Sequence, residues 1–169
     1  MGMKISRQSL KPVFRSKLLW AGLAWVALFP TVYEALPTRI ELTMDHSLEH
    51  SVWLTHKPFD PAKDQYGVFA PTVKNEYTRD VKYLFKEIGC RGGQELQSSI
   101  TGEYFCESKY LGSAKPTDKN GKPVEHFVFN GIIPEGSFFM VGTHERSYDS
   151  RYYGFVRADQ IERGARPLW

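Results

Sequence analysis

The first forty residues constrain this chain more than any other part of it. Leu18 to Tyr33 reads LLWAGLAWVALFPTVY and holds no charge, whereas residues 1–17 carry five cations and no acid. This run is slightly shorter than the roughly 20 residues that a spanning helix needs, and flanking residues at the interfaces complete the length. Because cations mark the cytoplasmic side of such a run, we predict a cytoplasmic basic tail over 1–17 and a transmembrane anchor over 18–36.

Two other interpretations of the apolar run remain. A cleaved signal peptide fits the same charges, although the segment from Tyr33 to Pro37, YEALP, offers no clean small-x-small cleavage site. A buried core helix leaves the one-sided charge unexplained. The anchor accounts for both features, with Pro30 kinking or ending the helix. With this anchor, we predict a single-pass protein whose residues 37–169 form a domain on the periplasmic face of the inner membrane.

The charge balance bears on the class of partner. The chain carries 22 Lys and Arg against 19 Asp and Glu, a formal net charge of +3. Because five of these cations lie in residues 1–17, the rest of the chain is slightly acidic. A general nucleic-acid binder needs a basic face on its folded domain, so we predict no nucleic-acid partner. The presence of only two cysteines also excludes a cysteine-rich zinc finger.

The exported part predicts a mainly β fold in one small domain. Short segments rich in Val, Phe, Tyr and Ile alternate with turns of Gly, Pro, Asp and Asn, and no segment beyond residue 37 keeps a long helical period. The polar stretch 114–123 predicts a turn or flexible loop. The predicted strands are Ser51–Thr55, Tyr66–Phe69, Val81–Phe85, His126–Phe129, Phe138–Val141 and Tyr152–Val156.

A first candidate site is the segment HSLEH, from His46 to His50, which matches the H-x-x-E-H pattern of some zinc proteases. That chemistry needs a helix that places both histidines on one face. The neighbours Thr43, Val52 and Trp53 favour an extended chain instead, in which residues 46 and 50 lie roughly 13 Å apart. The other histidines supply no supporting pattern. We therefore predict no metal and no cofactor.

A second candidate is Lys86, in the apolar stretch YLFKEI. Most lysines are exposed and solvated, and the local sequence alone favours that interpretation. The alternative is a lysine inside an apolar site, where loss of hydration lowers its pKa and the neutral amine can take a proton from a serine hydroxyl. Lys82, four residues earlier, is a back-up base.

The C-terminal third carries the most specific pattern. PEGSFFMVG runs from Pro134 to Gly142, and SYDSRYYGFV follows from Ser147 to Val156. Taken together with Lys86, these segments resemble the last conserved boxes of type I signal peptidases. In that family a Ser-x-Asp-Ser-Arg-Tyr-x-Gly box closes the active site.

Two further boxes of the family can be laid on the sequence without gaps. The lysine box, Lys-Arg-hydrophobic-hydrophobic-Gly-Leu-Pro-Gly-Asp, resembles KEIGCRGGQ, which starts at Lys86. The serine box that follows the anchor resembles SLEHSVW from Ser47 to Trp53, with the alternative serine, Ser51, where the family usually has a small residue. The resemblance covers essentially the whole chain in order. It implies a small signal-peptidase-like β domain behind one transmembrane helix.

The resemblance also implies a role for each site residue. Ser47 would be the nucleophile and Lys86 the general base of a Ser/Lys dyad. Ser147 would hydrogen-bond and orient Lys86, and Asp149 with Arg151 would form a buried pair that holds this wall. Such a mechanism uses neither a metal nor a nucleotide.

One branch of the family is more similar still. The short chain, the lone anchor and the C-terminal segment RPLW, residues 166–169, resemble the conjugative-transfer peptidases of the TraF type, including the TrhP-like proteins of conjugative plasmids. That branch trims a pilin precursor and joins its ends into a circle. The resemblance therefore implies a pilin precursor peptide and the inner membrane as partners, together with other conjugative transfer proteins of a type IV secretion apparatus.

The boxes depart from the signal peptidase pattern at four positions. Glu49 stands in place of Pro, Glu87 in place of Arg, and Gln94 in place of Asp, while Asp45 occupies a position where leader peptidases often have a hydroxyl. An ionised Asp cannot donate a hydrogen bond to an oxyanion, so the backbone N–H of Ser47 would do more of that work. These departures favour a narrow, dedicated substrate over general secretory processing.

Alternatives stay open at the level of sequence. A general type I signal peptidase shares the dyad and would cleave leader peptides. A structural subunit of a transfer apparatus would keep the fold and lack activity. The cysteines have two interpretations as well, and an oxidising compartment favours a Cys90–Cys106 disulfide bracing the loop after Lys86 over two buried thiols.

Overall fold

The structure is a computed structural model that describes residues 17–43 and 47–169. Two compact units divide the chain between Leu36 and Pro37. Most of the basic tail and the segment 44–46, which includes Asp45 and His46, lie outside the described residues. The assignments that rest on them, including a cytoplasmic tail, stay predictions.

The first unit holds one described helix, α1, from Lys17 to Ala35. Its 19 residues are long and apolar enough to cross a membrane, and none of them is buried. The absence of buried residues in this helix disfavours the core-helix interpretation, whereas a signal sequence would pass the same test of length and composition. Pro30 is expected to kink or end the helix, and the helix continues through it for five further residues, so it does not end there.

The second unit is built from short strands, which confirms the predicted mainly β fold. Its described elements, in chain order, are β1 (Thr38–Leu42), β2 (Val52–His56), β3 (Tyr66–Phe69), β4 (Leu84–Arg91), β5 (Glu95–Ser98), β6 (Glu103–Cys106), β7 (Lys109–Ser113), β8 (Gly131–Ile132), β9 (Ser137–Val141), α2 (Ser150–Tyr153), β10 (Val156–Arg157), a 3-10 turn (Ala158–Gln160) and β11 (Ile161–Pro167).

These strands form two antiparallel sheets. The larger sheet has the order β1-β2-β11-β3-β4-β9-β10, and the smaller has the order β7-β6-β5-β8. The last strand of the chain, β11, thus pairs with both β2 and β3. The strand β4 lies between β3 and β9 and carries Lys86, so the lysine box occupies an interior strand of the larger sheet.

A disulfide between Cys90 and Cys106 joins β4 of the larger sheet to β6 of the smaller one. It lies in a buried apolar cluster that includes Leu96, Tyr104 and Phe139. Of the two interpretations of the cysteines, the structure has the disulfide.

Replacing both cysteines with alanine should lower the free energy of unfolding by about 3 kcal/mol, because the cross-link closes a loop of sixteen residues in the unfolded chain. Denaturant unfolding of the full-length protein in detergent measures this change. Wild-type protein treated with a reductant should lose a similar amount of stability. A double variant as stable as the oxidised wild type would contradict the expected role.

The strand predictions differ in outcome. Tyr66–Phe69 is confirmed, and Phe138–Val141 lies within β9. The segment Ser51–Thr55 is offset by one residue from β2. The strand expected at Val81–Phe85 begins only at Leu84, because the preceding residues form a turn.

Two strand predictions are wrong for a shared reason: side chains bind the backbone there instead of a neighbouring strand. Residues 126–129 stay irregular, with the Phe129 N–H donating to Ser98 Oγ and the Phe127 carbonyl accepting from Tyr104 Oη. Tyr152 begins no strand, since the Asp149 side chain caps α2. Aromatic and β-branched content alone does not detect either arrangement.

Candidate active site

The side chain of Lys86 is buried on β4, with an exposed fraction of 2 %. Its Nζ donates a hydrogen bond of 3.0 Å to Ser147 Oγ, which is itself buried. Lys82 is exposed and lies over the ring of Tyr83, 5.1 Å from its centroid. Of the two candidate bases, Lys86 alone sits in the desolvated setting that a neutral amine requires.

Asp149 and Arg151 lie next to each other at the start of α2 and are both buried. Arg151 Nε and Nη2 donate to the two carboxylate oxygens at 2.8 and 2.6 Å. The same carboxylate also accepts from the backbone N–H groups of Arg151 and Gly142. A carboxylate that accepts from four donors, two of them on one arginine side chain, is a fixed structural unit rather than a reactive group.

Arg151 extends this unit to neighbouring segments. Its guanidinium donates to the carbonyls of Ser113 at 3.1 Å and of Gly142 and His144 at 3.4 Å. Burial opposes its charge, but the hydrogen bond and the charge of Asp149 outweigh that effect and raise the pKa of Arg151. The guanidinium therefore stays charged and fixes the chain from 142 to 144.

Ser47 begins a bend that is held by that same chain segment. Its carbonyl accepts from the His144 N–H at 3.3 Å and lies 3.5 Å from Thr143 Oγ1. The next residue, Leu48, is buried in a cluster with Trp53 and Phe85, which precedes Lys86 on β4. These contacts place the serine box against both the lysine box and the segment that leads to Ser147.

Gly142 is the point at which the three boxes meet. A Cβ on this residue would lie 2.1 Å from Ser147 Oγ and 2.7 Å from the Ser47 carbonyl oxygen. Such distances are far below van der Waals contact, so only a glycine permits this approach. The family resemblance includes Gly142 in a box but implies no role for it. Its importance depends on a contact between segments that are remote in the chain.

Gly142→Ala should therefore lower kcat/KM by about 100-fold, since a displacement of roughly 1 Å in a catalytic arrangement costs that much. The assay is peptide cleavage by the full-length protein. Gly22→Ala is the control, because a Cβ at Gly22 meets nothing within 4 Å. Equal activity of the two variants would show that activity does not depend on the close contact of the Ser47 and Ser147 segments with Gly142.

The zinc interpretation gains no support from the described residues. The described chain, residues 17–43 and 47–169, contains no group of three or more His, Cys, Asp or Glu able to hold a metal ion. His46 is outside it. His50 instead packs edge-on against Trp53, with ring centroids 5.7 Å apart.

The C-terminal segment reaches the serine box, a contact that sequence reasoning did not anticipate. The Trp169 carbonyl accepts from the backbone N–H groups of Ser51 at 3.1 Å and Val52 at 3.0 Å, and the Leu168 N–H donates to the Val52 carbonyl. Arg166 and Pro167 are not typical strand residues. The local sequence therefore did not predict that this segment pairs with β2. The exposed Ser51 is thus held by the chain terminus.

Comparison with known protein families matches residues 18–169 to the family described as "Signal peptidase, peptidase S26". No curated protein matches the chain. The matched residues include every described strand and all of α1 except Lys17, and the family indicates a serine peptidase of the signal peptidase type. The chain therefore belongs to the signal peptidase family, peptidase S26.

Proposed function

We propose that this chain is a membrane-anchored serine peptidase that uses Ser47 and Lys86 as a catalytic dyad. The observation that carries the proposal is the burial of Lys86 against Ser147, beside the glycine that the Ser47 backbone contacts. An amine held this deeply loses the hydration that favours its charged form, which suits a group that must accept a proton. Membership of a serine peptidase family supports the nucleophile.

Acylation begins when neutral Lys86 takes the proton of Ser47 Oγ. The oxygen attacks the carbonyl carbon of the peptide, and backbone N–H donors stabilise the oxyanion that forms. The C–N bond then breaks, Lys86 gives its proton to the leaving amine, and the acyl group remains as an ester on Ser47. Ser147 is a positioning residue in this scheme, because it touches Lys86 and not the reacting atoms.

The ester can be released by either of two nucleophiles. Water yields a trimmed linear peptide. The amine at the peptide's own N-terminus attacks the same carbon, a new C–N bond forms, and the bond to Ser47 Oγ breaks as that oxygen regains a proton through Lys86. Because the ester keeps the energy of the cleaved bond, ring closure by this route needs no nucleotide.

We assign a conjugative pilin precursor as the substrate and ring closure as its fate. The support is the resemblance of the RPLW segment and the lone anchor to the TraF-type branch. The box departures Glu49, Glu87 and Gln94 add to it, because they favour a dedicated substrate over general secretory processing. In this proposal the N-terminus is cytoplasmic and residues 37–169 are periplasmic. Because the anchor holds the enzyme in the same bilayer as a membrane-embedded precursor, it raises the effective concentration of enzyme and precursor.

The test is processing of a co-expressed pilin precursor from the same transfer system, beside an exported reporter with an ordinary signal peptide. The proposal predicts that the pilin is trimmed and the reporter is not, that Ser47→Ala stops trimming, and that Ser51→Ala does not. Trimming of both substrates would instead identify a general signal peptidase. Pilus formation that persists without Ser47 would identify a structural subunit.

A further inference from the structure

A cavity of about 390 Å³ lies beside the candidate active site. Gly142 and Thr143 line it, and both approach the Ser47 carbonyl, as described above. Gly89 of β4 and Gly112 of β7 also line it, so several wall positions have no side chain. The volume is that of a site for a short peptide segment or a chain end, and it is open next to the nucleophile's backbone.

The charges in this cavity are not equivalent. Glu145 binds Lys115 at 3.0 Å, and this contact holds the pKa of Glu145 below its usual value. Arg151 is bound to Asp149. Glu87, on β4 directly after Lys86, is a lining carboxylate with no ion pair within the described parts of the chain. The carboxylate available to a ligand is therefore that of Glu87, which shares the lining with the exposed cation Lys109.

Tyr66 lies close to two of the carboxylates that depart from the family pattern. Tyr66 pairs with Glu87 across β3 and β4, and its ring packs against Trp53 of the serine box. Burial raises the pKa of Tyr66, and the carboxylates of Glu87 and Glu49 raise it further. Glu87 replaces Arg and Glu49 replaces Pro of the signal peptidase pattern, and each lies within two residues of a dyad residue. Both carboxylates therefore raise the pKa of the same side chain, Tyr66.

We propose that this cavity is the subsite for the amine that accepts the acyl group, and that Glu87 binds that amine. The inference rests on the proposed function, since an acceptor site is needed only if an acyl-enzyme is resolved by something other than water. The ligand class is a primary amine at the end of a small-residue peptide, which a carboxylate recognises through its N–H groups.

The chemistry balances with the groups present. The bound ammonium loses one proton to solvent, and the neutral nitrogen attacks the acyl carbon of the Ser47 ester. Lys86 takes a second proton from that nitrogen and delivers it to Ser47 Oγ as the C–O bond breaks. The Glu87 carboxylate accepts hydrogen bonds from the N–H groups of this nitrogen before and after it loses its first proton.

The experiment measures binding, so that it does not depend on turnover. Full-length Ser47→Ala protein in detergent is titrated with the hexapeptide Ala-Gly-Ala-Ser-Gly-Ala amide and with its N-acetylated form. We expect the free amine to bind about tenfold more tightly, a difference of about 1.4 kcal/mol. Glu87→Gln in the same background should abolish the preference. Glu145→Gln, whose carboxylate is already bound to Lys115, should keep it.

Equal affinity for the two peptides, including no measurable binding of either, overturns the assignment of the cavity. A preference that survives Glu87→Gln overturns the role of Glu87. Neither result bears on the dyad, which fails separately if Ser47→Ala protein still trims the precursor.

Discussion

Lys86→Met is expected to lower kcat/KM for precursor cleavage by about 10⁴-fold, the scale of a general base that acts together with a nucleophile. Methionine has a similar length and suits the buried position, so the variant should fold while no amine remains to accept the Ser47 proton. The measurement is the initial rate of cleavage by full-length enzyme, with circular dichroism as the check on folding.

Lys82→Met is the matched control for this experiment. Lys82 has the same side chain on the same segment but is exposed. We expect the control to retain activity within a few-fold of wild type. A folded Lys86→Met enzyme with near wild-type activity, or a loss confined to Lys82→Met, would remove Lys86 from the mechanism.

Asp149→Ala is expected to lower the free energy of unfolding by about 3–5 kcal/mol, the cost of leaving one partner of a buried ion pair uncompensated. Arg151 would keep a charge in a site where it is 2 % exposed. The change also removes the cap of α2 and the acceptor for the Gly142 N–H. Denaturant unfolding of the full-length protein in detergent gives the value, and lost activity would follow from the lost structure.

Asp159→Ala provides the comparison, because Asp159 also binds an arginine two residues away in the chain, Arg157, but at the surface. With more than 60 % of each side chain exposed, that pair should contribute little to the free energy of unfolding, because solvent screens it. Similar losses in the two variants would show that burial does not set the energetics of the Asp149 pair.

The sequence predicts the architecture of this protein well where local chemistry decides it. A charge-free run becomes the helix from Lys17 to Ala35, and alternation of apolar and turn residues identifies β3 and most of β9. Pro30 shows the limit of such rules, because the helix continues through it. The ring can be tolerated within a helix when the surroundings satisfy the freed carbonyl.

Contacts between remote segments account for what the sequence does not predict. The pairing of the C-terminal stretch with β2 and the approach of Ser47 and Ser147 at Gly142 join residues far apart in the chain. No local period or propensity reports such contacts. The same holds for residues 126–129, whose aromatic content suggests a strand but whose backbone is bound by Ser98 and Tyr104 side chains.

Glu49 and Glu87 are predicted in part by the sequence and in part only by the fold. The sequence marks both as departures from the family pattern, each close to a residue of the dyad. Only the fold adds that both carboxylates lie near Tyr66 and that Glu87 lines a cavity next to Ser47. The position of Glu87 in the cavity therefore turns a departure from the family pattern into a testable role for that residue.

The most direct test of the account is the intact mass of the pilin co-expressed with wild-type enzyme and with Ser47→Ala. The account predicts a product lighter than the trimmed linear peptide by one water, formed only when Ser47 is present, because an amine closes the ring by acyl transfer. A trimmed linear product that depends on Ser47 would leave a peptidase without ring closure. A pilin mass that is the same with and without Ser47 would contradict the catalytic assignment itself.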